Sequence, residues 1–321
     1  MFGLWQRIQG RRPFYPISQE HVVWAYRLFL DREPESEAVI EEKLRAWRTT
    51  RDLRADFMTS AEFQQKNPDL AYVNERNVVI KEIGDQLRLF VDLSDYVIGL
   101  GIIRGRYETG ELAFVRETVK PGQTVLDVGA NIGLFTITMA ALVGSTGKVF
   151  AFESLERNAE LLERSVVENG FQDQVVVERA AVSEQPGQGS LVSPQTSLNW
   201  GGAFLHEGES EIPAAHNVDT VQLVSLDTYP LPRPISFIKI DIEGAEPLAL
   251  HGAREMLRVD RPVILSELNP VSLLKVAGYT SRQFVAEMND LGYKCCLLEK
   301  GRLHRTATLD TSAIQTVAFL P

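Results

Sequence analysis

The chain has 321 residues, 44% hydrophobic and 24% charged, with a formal net charge of −10. That length suits one large α/β domain with a small addition, and the acidic surplus excludes a general nucleic-acid binder. No apolar run approaches the ~20 residues that span a bilayer. The start, Met1 to Pro16, holds Trp5, Arg7, Arg11 and Arg12 without a continuous apolar stretch, so it is not read as a secretory signal. The two cysteines, Cys295 and Cys296, are adjacent and would point to opposite faces of a strand. They indicate neither a disulfide nor a metal site, and a reducing cytoplasm is expected, with the basic-aromatic start available to a membrane surface.

Residues 18–66 read as helical. Val22, Val23, Tyr26, Leu28, Phe29 and Leu30 recur at three- and four-residue spacing until Asp31-Arg32-Glu33-Pro34 breaks the pattern. Glu37 to Trp47, Leu53 to Met58 and a short turn at Ser60-Ala61-Glu62-Phe63 follow, which makes 1–70 a small helical domain. Residues 71–122 open the second domain, 71–321. Asn77 to Ile83 and Leu87 to Leu93 read as a hairpin turning at Gly84-Asp85-Gln86, and a helix from Glu111 to Val119 ends at Lys120-Pro121-Gly122.

Val125 to Gly133, Val-Leu-Asp-Val-Gly-Ala-Asn-Ile-Gly, is the centre of the chain. An apolar run suits a buried parallel strand, and Gly129 and Gly133 bracket a turn before an apolar helix, Leu134 to Val143. Strand, glycine turn and helix N-terminus form a nucleotide-type site. The spacing is not that of the dinucleotide fingerprint, because Asp127 stands where its first glycine belongs. A carboxylate there repels a pyrophosphate and favours a cationic ligand such as S-adenosylmethionine. A second strand, Lys148 to Glu153, ends in an acid about 20 residues past the turn, the place where a carboxylate accepts from two ribose hydroxyls.

Glu156 to Asn169 reads as an amphipathic helix closed by Gly170, and Gln174 to Val182 as a third strand. Small residues at its end, Ala181 among them, leave room for an adenine ring. Residues 184–222 break the βα rhythm and are read as a substrate-covering insertion. Within it Trp200 is a candidate for stacking on a sugar, and His206 and His216 are the mid-chain histidines. Ile235 to Glu243 forms a fourth strand, with a helix from Gly244-Ala245-Glu246 to Leu257. A fifth strand, Val263 to Leu268, carries Glu267, and a helix spans Ser281 to Leu291. Tyr293 to Leu298 and Ile314 to Leu320 are expected to close the sheet as an antiparallel pair. The βαβα alternation implies a doubly wound sheet with ligands at the carboxyl ends of its strands.

Three segments together, Val-Leu-Asp-Val-Gly-Ala-Asn-Ile-Gly, Phe-Glu, and Ile-Lys-Ile-Asp-Ile-Glu-Gly-Ala-Glu, resemble the FkbM-type S-adenosylmethionine-dependent methyltransferases from about Asn77 to the C-terminus. The resemblance implies a class I methyltransferase, a Rossmann-like doubly wound sheet with an antiparallel final strand, here beside a small N-terminal α-helical domain. It implies O-methylation of sugars, polyketide products or lipid-linked glycans. It also places Asp127, Gly129, Asn131 and Gly133 around the methionine end of the cofactor and Glu153 on its ribose. Asp241 and Glu243 would face the methyl-transfer site, and Tyr107-Glu108 matches a Tyr-Glu pair common in the family. Ala245 stands where many relatives carry histidine, so no role for that histidine carries over. The N-terminal pattern, Tyr-Arg-Leu-Phe-Leu-Asp-Arg-Glu-Pro and then Phe-Met-Thr-Ser-Ala-Glu-Phe, resembles a phycobilisome-linker-like module found beside bacterial glycan-modifying enzymes. It suggests docking or dimerisation.

Methyl transfer from a sulfonium to a hydroxyl needs positioning and a base. The acids Asp241, Glu243, Glu246 and Glu267 can raise one another's pKa and supply that base, with His206 or His216 as alternatives. The same acids could hold a divalent metal through oxygen, although no spacing diagnoses one. The expected partner is a small-molecule or glycan acceptor, not a nucleic acid, because the place after the fourth strand reads Asp241-Ile242-Glu243-Gly244 and not Asp/Asn-Pro-Pro-aromatic. Competing readings are a nicotinamide oxidoreductase and a scaffolding protein without turnover.

Overall fold

The structure is a computed structural model. It describes residues 17–58, 60–66, 70–72, 77–84, 86–93, 95, 97–194, 202–206, 216–304 and 312–321. Two compact units divide it, Met1–Ile80 and Lys81–Pro321. The first holds α1 (Gln19–Leu30), α2 (Glu37–Ala46), α3 (Thr50–Met58), α4 (Ala61–Lys66) and β1 (Leu70–Tyr72). The apolar stripe of α1, Val22, Tyr26 and Leu30, is buried with Ile40, Leu53 and Phe57. Tyr26 meets Phe57 edge to face at 4.7 Å between ring centres. Asp31 ends α1 in the left-handed conformation, and Arg32 then clamps Glu62 with two hydrogen bonds of 2.7 Å. β2 (Val78–Ile83) carries the chain into the second unit.

That unit begins with β3 (Leu87–Asp92), α5 (Ile98–Ile103) and α6 (Thr109–Thr118). Two βα pairs follow, β4 (Thr124–Val128) with α7 (Leu134–Val143) and β5 (Lys148–Phe152) with α8 (Glu156–Glu168), and then β6 (Val175–Glu178) without a helix. A side sheet interrupts the alternation, built from β7 (Ala181–Val182), β8 (Gly187–Pro194), β9 (Phe204–His206) and β10 (His216–Val224). The rhythm resumes with β11 (Ile235–Ile240), α9 (Glu246–His251), α10 (Arg254–Val259) and β12 (Val263–Leu268). The last elements are α11 (Pro270–Val276), α12 (Ser281–Asp290), β13 (Lys294–Glu299), β14 (Arg302–His304) and β15 (Gln315–Leu320).

The central sheet runs in the order β14-β13-β15-β12-β11-β4-β5-β6. β6, β5, β4, β11 and β12 are parallel, and β15 lies antiparallel between β12 and β13. This is the class I methyltransferase strand order, with its reversed strand in the expected place. After β4 the chain winds outward through β5 and β6, then returns to place β11 on the other side of β4. That reversal opens a crevice beyond the carboxyl ends of β4 and β11. Right-handed crossovers put α7 and α8 on one face and α9 and α10 on the other. Leu126, Phe152, Ile238, Ile264 and Phe319 fill the core between them.

Three expectations change in the structure. The third strand does not run unbroken to Val182: it stops at Glu178, and Ala181–Val182 leaves the central sheet to pair in parallel with Leu223–Val224 of β10. Arg179, at the break, turns outward to Glu163 on α8 with contacts of 2.9 and 2.6 Å. The insertion is itself a sheet, with β8 and β10 paired antiparallel over eight residues. The helix expected from Glu246 to Leu257 breaks at Gly252. A Cβ there would fall 2.3 Å from the Ser183 carbonyl oxygen, and Asp227 caps the restarted α10 through the amides of Glu255 and Met256, both at 2.9 Å.

Candidate active site

β4 delivers the chain to the crevice, with Val125, Leu126 and Val128 fully buried. Gly129 follows at φ 80°, and a Cβ on it would lie 2.0 Å from the Asp241 carbonyl oxygen. Glycine is required here for a double reason, the positive φ and the backbone leaving β11 that lies directly on the turn. Asn131 is also left-handed, and its side chain accepts from the Ile132 amide at 2.7 Å. Gly133 caps α7, and the space a side chain would need is taken by Leu162.

Glu153 holds this turn in shape. One carboxylate oxygen accepts from the Asn131 amide and the other from the Leu155 amide, each at 2.7 Å. Burial lifts its pKa to about 7 against those two bonds. Glu153, Asn131 and Gly129 form one wall of a narrow cleft, Ala181 and Val182 another, and Leu191 and Leu205 of the side sheet close it.

The cleft shares Gly129, Asn131, Asp241 and Glu243 with a cavity of about 240 Å³. Tyr107, Glu108, Phe135, Lys239 and Glu267 line that cavity, with Ile98 and Ile102 of α5 as its apolar side. Three glutamates of the cavity, Glu108, Glu243 and Glu267, are raised above the usual carboxylate range. Burial first, then Asp241, pushes Glu243 and Glu267 up to about 7. Burial likewise raises Glu108 and Tyr107. Glu108 and Glu243 both sit at positive φ, a conformation that side-chain-bearing residues adopt at a cost and that recurs in functional sites.

Not every predicted residue reaches a cavity. Asp127 is completely buried and lines neither space. It pairs in register with Lys239, and its Oδ2 accepts from Thr136 Oγ1 at 2.5 Å in the first turn of α7. The carboxylate therefore lies against the first turn of α7, where the helix dipole favours negative charge. Gly133 supports the turn without lining a cavity. On β9, Leu205 faces the cleft, so its neighbour His206 points to the opposite face and lines neither space. His216 begins β10 and also lines neither. Trp200 lies outside the described residues. Glu246 is buried and fastens the turn after β11, accepting from the amides of Ile242 and Gly244.

The sequence reading passed over Lys239. Its Nζ lies 3.2 Å from Asp241 Oδ2 and 5.1 Å from the centre of the Phe135 ring. Burial works against its charge, but Asp241, Glu108 and Asp127 outweigh that and hold it above the ordinary lysine range. The signal was a lone lysine inside the apolar strand Ile-Ser-Phe-Ile-Lys-Ile, a place lysine occupies only when paired or lining a site. Among the described residues no group of three or more His, Cys, Asp or Glu is arranged to hold a metal ion, and no helix is long and apolar enough to cross a membrane.

Comparison with solved structures finds similar chains at low identity. A methyltransferase FkbM from Methylobacillus flagellatus KT is 17% identical, with a TM-score of 0.39 over 69% of this chain and 60% of that one. This chain thus spans less than two thirds of that protein. An S-adenosylmethionine-dependent O-methyltransferase from Thermotoga maritima is 14% identical, with a TM-score of 0.39 over 75% and 77% of the two chains. A Pyrococcus abyssi tRNA (uracil-54, C5)-methyltransferase, solved with S-adenosyl-L-homocysteine, is 16% identical, with a TM-score of 0.41 over 77% and 45%. The family described as the Methyltransferase FkbM domain matches residues 127–295, over half of the chain, from the buried Asp127 to Cys295 of β13. With that match laid over the class I strand order, the chain belongs to the FkbM family of S-adenosylmethionine-dependent methyltransferases.

Proposed function

We propose that this chain transfers a methyl group from S-adenosylmethionine to a hydroxyl of a saccharide, glycolipid or related natural product. The observation that carries the reading is the junction at Gly129, Asn131, Asp241 and Glu243, four residues that line both the Glu153 cleft and the cavity of Asp241 and Lys239.

The donor set fits the nucleoside end of that molecule. A carboxylate offers about four acceptor positions, and Glu153 spends two on backbone amides, which leaves capacity for two ribose hydroxyls. Ala180 and Ala181 keep the opposite wall flat enough for a ring. Asp127, inside the N-terminus of α7, opposes the pyrophosphate that a nicotinamide dinucleotide would bring. When bound, the donor supplies an electrophilic methyl on a sulfonium.

The chain's own residues do the rest. Ile98, Ile102 and Phe135 exclude water from the larger cavity. Asp241 stands at the junction, placed to take the proton of an acceptor hydroxyl as its oxygen gains the methyl group. Glu243 and Glu267, both near pKa 7, are placed to pass that proton on near neutral pH. The free thiols of Cys295 and Cys296 fit a reducing compartment, and the reading includes a cytoplasmic location.

The test is a labelled-methyl assay with an extract of cell-surface glycans as acceptor pool. Label recovered in methyl ethers of sugars supports the reading. Binding of S-adenosylhomocysteine without any transfer favours a methyltransferase fold used for binding alone.

A further inference from the structure

We propose that Lys239 receives the acceptor oxygen, donating to it from the cavity wall while Asp241 beside it accepts the hydroxyl proton. The inference rests on the methyl-transfer reading above and assigns a substrate-touching group within it.

Placement argues first. Lys239 stands next to the carboxyl end of β11, between Ile238 and Ile240, both fully buried, and is itself 7% exposed. A lysine there has few directions open. One leads to Asp127, its register partner on β4, whose Oδ1 is buried with no hydrogen-bond partner among the described residues. If neutralising the core were the purpose, the ammonium would bond to that oxygen. Its hydrogen bond goes instead to Asp241 Oδ2, at the junction of cleft and cavity. Phe135 packs under the ammonium and fixes the side chain on that course.

Donor accounting argues second. An ammonium has three N–H donors, and among the described residues Lys239 makes one hydrogen bond, to Asp241. Lys239 lines both the larger cavity and a smaller one bounded by Ser266, Glu267 and Thr316. Buried donors without partners are costly in an apolar setting. A ligand oxygen would satisfy them.

The two groups are 3.2 Å apart, so one hydroxyl can bridge them, accepting from Lys239 and donating to Asp241. The step balances: the acceptor O–H proton goes to Asp241, the oxygen forms a bond to the methyl carbon, and the carbon–sulfur bond breaks with its electron pair on sulfur. A protonated amine in the same place would face the Lys239 ammonium with like charge and offer it no lone pair to accept its N–H. The pair thus favours hydroxyl acceptors.

The groups facing this pair are Asp127 from β4, Tyr107 and Glu108 ahead of α6, Glu111 within it, Glu243 in the turn after β11, Glu246 at the start of α9, and Glu267 from β12. All but Tyr107 are acids. Removing Lys239 leaves Asp241 with no cation among these groups, so the acid limb of the pH–rate profile should move to higher pH.

The experiment compares the full chain with Lys239→Met and Lys239→Arg. Three readouts are S-adenosylhomocysteine affinity by calorimetry, methyl incorporation into a glycan extract against pH, and chromatography of the labelled products. Lys239→Met should keep the affinity within about threefold, lose about 100-fold in rate and shift the acid limb upward. Lys239→Arg keeps the charge, so the limb should stay, while the altered geometry costs about tenfold in rate. Wild-type products should be methyl ethers. Unchanged rate and pH profile in Lys239→Met, with binding intact, would overturn the assignment, as would N-methylated products from the wild type. If Lys239→Met does not fold, an unchanged rate or a displaced limb in Lys239→Arg overturns it equally. Failure of the wild type to bind S-adenosylhomocysteine strikes instead at the methyl-transfer reading, and the proposal falls with it.

Discussion

Glu246 gives a quantitative check on the site's electrostatics. Its carboxyl is buried at the start of α9, 2% exposed, and one oxygen accepts from both the Ile242 amide at 2.9 Å and the Gly244 amide at 3.3 Å. Burial, reinforced by Asp241 and opposed by the Ile242 amide, lifts its pKa from 4.5 to about 7. A carboxyl raised on folding binds its proton more tightly in the folded protein than in the unfolded chain. Its contribution to stability is therefore complete below about pH 4.5 and is lost as pH rises through about 7. At ~1.4 kcal/mol per unit, the interval is worth about 3 kcal/mol. Glu246→Gln keeps an acceptor oxygen for both amides and never ionises. Urea unfolding followed by circular dichroism should show the two proteins alike near about pH 4, and the variant more stable by about 3 kcal/mol near about pH 8. A difference that does not change with pH, or one favouring the wild type at high pH, would refute the reasoning.

Other substitutions test other parts of the account. Glu153→Gln places an NH₂ against one of two backbone N–H donors and removes the charge, so S-adenosylhomocysteine affinity should fall about 10- to 100-fold by calorimetry. Unchanged affinity would take Glu153 out of the ribose site. Gly129→Ala forces a Cβ to within 2.0 Å of the Asp241 carbonyl oxygen at φ 80°. The cost should be at least about 3 kcal/mol, read as a lowered melting temperature. Asp241→Asn should lose about 100- to 1,000-fold in methyl incorporation while cofactor affinity stays within about threefold. Full turnover in that variant would remove Asp241 from the chemistry.

The sheet was legible because each parallel strand announces itself as an apolar run, and the turn at Gly129 because its glycines and Asp127 break a familiar spacing. What those residues do was less legible. Asp127 was expected beside the ligand, but the side-chain alternation of β4 and the first turn of α7 bring it under the turn, to Thr136. Gly129 is needed for the protein's own chain at Asp241 as much as for any ligand, a contact between residues more than a hundred positions apart that no local pattern records. Lys239 and Asp241 are two apart and so share a strand face, yet the lysine was read as part of a motif and not as a side chain that must have a partner. The side sheet escaped for another reason. β7, at two residues, is too short for periodicity, and the pairing of β8 with β10 bridges 21 intervening positions. The break at Gly252 depends on Ser183, far away in the chain.

The central claim is that the cleft between Glu153 and Ala181, adjoining the Asp241–Lys239 cavity, takes an adenosyl sulfonium donor. The most direct measurement is a calorimetric titration of the full chain with S-adenosylhomocysteine at neutral pH. The account predicts saturable one-to-one binding in about the micromolar range, with weaker binding as pH falls below about 7, because a bound ribose needs Glu153 ionised. No heat at about millimolar ligand, or binding that strengthens as the pH is lowered, would contradict it.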